Sequence, residues 1–197
     1  MKKSNIILVA TEALLLVVLL FLFIYGKRIE EKRNVEPIYV EKPELPDFSV
    51  IVVKNNARLD LSSGDSPQLD IYRSDVNQTI DDFCTITNDT LHIFHESVSV
   101  RSSGIHSIIG DSAMHIYVNS YDTDTLSLDL RNSYLKLSPG IQDRTHINML
   151  KINLKDKSTI RMNKVTVENL QLAVDDDSFI DTDLAIIKST SKLDTND

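Results

Sequence analysis

The chain has 197 residues, of which 42% are hydrophobic, 25% charged and 6% aromatic, with no Trp. That is enough for one domain of ordinary size plus an anchor, and five Gly and five Pro exclude the collagen-like and low-complexity classes. Residues 1–33 carry six basic and three acidic side chains, so a chain of net charge −8 leaves −11 on residues 34–197, a body that repels phosphate backbones and argues against nucleic acid as a partner.

Residues 1–26 read as an N-terminal signal anchor. Ile6 to Tyr25 is an apolar run broken only by Thr11 and Glu12, and framed by Lys2, Lys3, Lys27 and Arg28. Twenty helical residues rise about 30 Å, the thickness of a bilayer core. A cleaved signal peptide has a shorter apolar core and a small-x-small site. Here the run ends in Ile24-Tyr25-Gly26-Lys27 without such a site, so one retained transmembrane helix is expected. Glu12 is read as a tolerated polar residue near one end of that span. The Lys/Arg count on the two flanks slightly favours a cytoplasmic body, whereas the architecture below favours export. The expectation is a single-pass protein of the cell membrane whose body is extracytoplasmic.

Residues 27–47 form a charged, Pro-containing linker, with Pro37, Pro43 and Pro46 favouring an extended stalk. From Phe48 onward strand alternation dominates. Phe48 to Val53 is a first apolar run, then Leu59 and Leu61, Leu69 and Ile71, Leu91 and Ile93, and Ile116 and Val118 alternate with polar residues. The lone cysteine, Cys84, allows no intrachain disulfide and sits in an apolar run, where a buried structural thiol is expected. Residues 97–113 are Ser/Gly-rich and read as a loop projecting from the body.

Further on the chain repeats a phrase. Leu150-Lys-Ile152-Asn-Leu154-Lys-Asp156-Lys-Ser158-Thr-Ile160 returns 20 residues later as Leu170-Gln-Leu172-Ala-Val174-Asp-Asp176-Asp-Ser178-Phe-Ile180. A weaker copy precedes them at Leu126, Leu128 and Leu130. A period of about 20 with alternation inside it points to stacked coils. The expected fold is all-β: a single-stranded β-solenoid (β-helix) of ~20-residue coils over residues 48–187, preceded by one N-terminal transmembrane helix. The polar corners Arg131-Asn132-Ser133, Lys155-Asp156-Lys157 and Asp175-Asp176-Asp177 would stack along one edge. Residues 188–197 form a polar tail that would blunt the open edge of the last coil.

These residues resemble the GIN domain, a family named for the head of auto-transporter adhesins. The resemblance rests on Phe48-Ser-Val-Ile51-Val52, Leu59-Asp-Leu61, Leu69-Asp-Ile71 and Asn88-Asp-Thr90-Leu91-His-Ile93, followed by rungs of Leu-x-Leu. It implies an exported β-helix-like domain at the bacterial envelope, with no catalytic residues and no established ligand.

Candidate chemistry concentrates in Asp175, Asp176, Asp177, Asp181 and Asp183. Clustered carboxylates suit a hard cation, with Asp175, Asp177 and Asp181 as candidate ligands. Two of the five would suit acid/base work on a sugar. The bland alternative is a solvated corner in which Lys155 and Lys157 pair with Asp175 and Asp177 one coil away. His92 and His95 fall on opposite faces of a strand and share no metal. No catalytic residue and no cofactor site is assigned. The expected function is a membrane-anchored binding or structural module at the bacterial envelope, non-enzymatic, with an envelope polymer, a protein or a second copy as partner. The rival is a carbohydrate-active β-helical enzyme using Asp carboxylates.

Overall fold

Period-two alternation builds sixteen short strands among the described residues, numbered β1 to β16 in chain order. The computed structural model describes residues 15–21, 38–39, 45–72, 79–140 and 144–193. They belong to two compact units, Met1–Glu36 and Pro37–Asp197. In β9 (His115–Asn119) Ile116 and Val118 are buried, and in β11 (Tyr134–Ser138) so are Leu135 and Leu137. The intervening side chains face outward, as the pleat requires.

The strands form two eight-stranded sheets. Sheet A runs β1 (Ile38–Tyr39), β4 (Gln68–Tyr72), β7 (Ser97–Arg101), β3 (Arg58–Ser62), β9, β11, β13 (Thr159–Asn163), β15 (Phe179–Asp183). Sheet B runs β16 (Ile186–Lys192), β14 (Val165–Val174), β12 (Thr145–Lys155), β10 (Thr123–Arg131), β8 (Ser107–Asp111), β2 (Val50–Lys54), β6 (Thr90–Ile93), β5 (Cys84–Thr87). Pairing is parallel except at β1–β4, β4–β7 and β5–β6. One apolar core joins the two sheets, with Ile51, Leu126 and Leu150 from sheet B and Leu59, Ile116 and Ile160 from sheet A. Burying each such side chain contributes about 1.5–3 kcal/mol.

This corrects the expected single-stranded solenoid. The repeat is present as register, since Leu150 pairs with Leu170 in sheet B and Ile160 with Ile180 in sheet A. Each repeat, however, carries two strands, one for each of two open, mixed sheets. The order is not sequential either: β2 lies between β6 and β8, and β3 between β7 and β9. Alternation states which face of a strand is buried. It carries no information on which strand lies alongside or in which direction it runs.

The expected transmembrane helix is corrected as well. The helix described over residues 15–21 has seven residues and rises only about 10 Å. Among the described residues no helix is long and apolar enough to cross a membrane. Residues 6–14 and 22–25 of the apolar run lie outside the described residues, as does most of the linker.

Residues 97–113 are not a projecting loop. They supply β7 and β8, each flanked on both sides within its sheet. Ser alternates with buried Val98 and Val100, and Ile105 and Ile108 are buried too. Small polar residues in outward positions had hidden a strand whose inward residues are branched. Between β7 and β8 the buried Tyr121 hydroxyl clamps Ile105, accepting from its amide at 2.7 Å and donating to its carbonyl at 2.9 Å.

Tight turns link the sheets. At one corner Asn55, Asn56, Ser112, Asn132, Asp156 and Lys157 have positive φ, and at the other Ser120, Gly140 and Lys164 do. Asn and Asp tolerate this region best among residues with a Cβ. Backbone pairing continues round the first corner: Asn56 donates to Ser112, Ser112 to Arg131 and Asn132 to Lys155 at 2.8–3.2 Å. Strand β16 takes in residues 188–192 of the polar tail, where Thr190 and Lys192 pair with Leu170 and Leu172.

Candidate binding face

The aspartates singled out above do not converge. Asp175 closes the corner after β14, where its Oδ2 accepts the Asp156 amide at 2.7 Å. Hydrogen bonds from the Ser178 hydroxyl and then from the Asp156 amide hold its carboxyl below the usual range. Asp181 faces outward from β15 and accepts Arg161 Nε at 2.8 Å. Asp176, Asp177 and Asp183 are exposed. No group of three His, Cys, Asp or Glu side chains suited to a metal occurs among the described residues.

The polar corners do stack, but not through the expected lysines. Arg131 Nε lies 3.2 Å from Asp156 Oδ2, and among the described residues Lys155 and Lys157 form no ion pair with Asp175 or Asp177. Cys84 is buried, and burial pushes its thiol up to about 11.

The distinctive surface is the outer face of sheet A. Its strands β9, β11, β13 and β15 present outward residues in rows that cross the strands. One row runs His115, Tyr134, Thr159, Phe179, and the next runs Tyr117, Lys136, Arg161, Asp181. The His115 ring meets Tyr134 edge-on at 5.3 Å and Tyr117 at 5.7 Å, favoured arrangements for aromatic pairs. Arg58 lies 4.7 Å over the Tyr117 ring, and its Nε is 3.1 Å from Asp60. Nδ1 of His115 is 2.5 Å from the Met114 carbonyl. A carbonyl only accepts, so Nδ1 is the donor in this contact. The aromatic side chains are half-buried except Phe179, which is 61% exposed.

A concavity of about 340 Å³ lies on the outer face of sheet B. Val52 and Ile109 line it, and Lys54, His92, Asp111, Asp129 and Arg131 rim it. Two of these charges are already engaged, Arg131 with Asp156 and Asp129 with the Asn153 amide.

The sequence reading missed the aromatic rows. The signal was present in part: once Ile116, Val118 and Leu135 are inward, His115, Tyr117 and Tyr134 must be outward, and large aromatics on a solvated face invite a reason.

No family model matches this chain, so membership of the GIN family is not shown. No curated protein matches it either. Among solved structures it is similar to a protein from Parabacteroides merdae described as a putative adhesin, at 11% identity and a TM-score of 0.48, over 79% of this chain and 74% of that one. Nothing about function follows from a likeness of that degree.

Proposed function

We propose that this protein is a binding module of the bacterial cell envelope, displayed outside the cytoplasmic membrane, which contacts its target through the outer face of sheet A. The observation that carries this is the aromatic row His115, Tyr134 and Phe179 on that face. Large aromatics contribute much contact area at low conformational cost, and they are enriched where proteins bind. The surrounding groups, the Arg58–Asp60 and Arg161–Asp181 pairs and Lys136, add orienting hydrogen bonds. Support for the location comes from sequence alone, in the apolar run Ile6 to Tyr25 ahead of a strongly acidic body.

Isolated cell envelopes test the binding role. They should retain the full chain, and a Tyr117→Ala/Phe179→Ala double variant should be retained far less. Equal retention of the two would overturn the assignment of the face. Protease treatment tests the location. Residues 34–197 should be cut in spheroplasts or intact cells, whereas cutting only in inverted vesicles would place the body in the cytoplasm.

A further inference from the structure

We infer that the row His115, Tyr134 and Phe179 is a stacking platform for an extended β-1,4-linked glycan lying across the strands. This rests on sheet A being the binding face, and it names the class of ligand. Neighbouring strands lie about 4.8 Å apart. Tyr134 on β11 and Phe179 on β15 are separated by one strand, with Thr159 between them, which puts them about 10 Å apart along the row. In an extended β-1,4-linked chain each sugar is turned over relative to the last. The same face therefore returns at every second sugar, at a repeat of much the same length. Tyr134 and Phe179 would meet like faces of alternate sugars, and Thr159 is small enough to leave room for the sugar between.

The second row supplies the polar half. Lys136, Arg161 and Asp181 lie two residues along their strands from Tyr134, Thr159 and Phe179, about 6.6 Å away, which places donors and acceptors beside the sugar hydroxyls. The Arg161–Asp181 pair holds two of these groups in a fixed orientation. A protein partner fits this face less well. A stable protein interface buries about 800 Å² per side around an apolar centre. Here the aromatic rings form a narrow strip, the row His115, Tyr134 and Phe179 with Tyr117 beside its first member, and charges lie alongside.

The test is cosedimentation of the full chain, in mild detergent, with insoluble chitin, cellulose and protein-free peptidoglycan sacculi. Phe179→Ala and Tyr134→Ala variants run alongside, with circular dichroism to confirm their fold. Phe179 is well exposed, so its replacement leaves the core intact. Retention on at least one glycan is expected, with each substitution weakening it about tenfold. Retention on none of the three overturns the glycan. If untreated envelopes still bind the chain and Phe179→Ala weakens that binding, the face stands and its ligand is another class. Glycan retention that neither substitution alters overturns both the platform and the face.

Discussion

The amide of Ser133 donates to the hydroxyl of Ser158 at 3.2 Å, one rung away in the stack. The contact is one link of a ladder. Ala113 donates to the Ser133 hydroxyl at 3.0 Å, and Ser158 donates to that of Ser178 at 3.1 Å. Ser133 and Ser158 return the favour locally, donating to the carbonyls of Arg131 at 2.7 Å and Lys155 at 2.6 Å. At a corner between two sheets the backbone leaves the strand ladder, and these hydroxyls accept amides that the ladder no longer serves.

Ser158→Ala should therefore destabilise the fold. Ser158 is fully buried, and loss of its hydroxyl strands the Ser133 amide, at a cost of about 1–3 kcal/mol, whereas the Lys155 carbonyl keeps the Asn132 amide. Urea unfolding measures it. Ser178→Ala, at a half-buried position, should cost less. The reverse order would mean that the ladder is incidental.

Gly110→Ala should be destabilising without any backbone strain. A Cβ at Gly110 would lie 2.9 Å from Leu130 Cδ2, 3.0 Å from Ile116 Cδ1 and 3.1 Å from Ser133 Oγ. Overpacking of this kind costs about 1–3 kcal/mol. A lowered midpoint with an unchanged denaturant slope is the expected outcome, and an unchanged midpoint would show that the core yields there.

Alkali should loosen the fold in two overlapping steps. Burial raises the Cys84 thiol from 9.0 to about 11 and the Tyr121 hydroxyl from 10.0 to about 12. Both groups are neutral when protonated, and the folded state holds the proton more tightly. Their contribution is present below the unfolded values and is lost as pH rises through the folded ones. Stability should fall from about pH 9 to 12. Tyr121→Phe should remove the upper part of that fall. It should also cost stability at neutral pH, because the Ile105 amide and carbonyl lose their partner. A pH series of melting curves on the parent and on Tyr121→Phe checks both effects.

The end of the stack is closed by polar residues in apolar positions. Thr190 and Lys192 pair with Leu170 and Leu172, whereas one rung earlier the same columns hold Leu150 and Ile152. Both side chains are exposed, and charge on an edge strand discourages pairing with another chain. Thr190→Leu/Lys192→Leu should therefore promote concentration-dependent association, read by sedimentation velocity. Val174, Phe179, Leu184 and Ile186, all exposed near that end, would supply the contact. A double variant that sediments as the parent does would show that Lys192 is no barrier.

Some of this was legible in the residues before any coordinates. Alternation identified the inward side of most strands, from Ile51 to Leu172, though not of β7 and β8, because a strand against one core buries every second side chain. The 20-residue phrase became the register of β12 with β14 and of β13 with β15. The turn residues were visible too, since Asn, Asp and Ser are the types that accept a left-handed backbone.

What only the tertiary structure decided is adjacency. Periodicity is a property of one strand, whereas a sheet depends on which strand comes next and on its direction. Hence the single coil expected from the repeat resolved into two open mixed sheets, and the Ser-rich segment 97–113 became two flanked strands. The aspartates, neighbours along the chain, were drawn to separate partners, Asp175 to a backbone amide and Asp181 to Arg161. His115, Tyr134 and Phe179, spread over 65 residues of sequence, came into one row, because parallel pairing places equivalent positions of successive strands side by side.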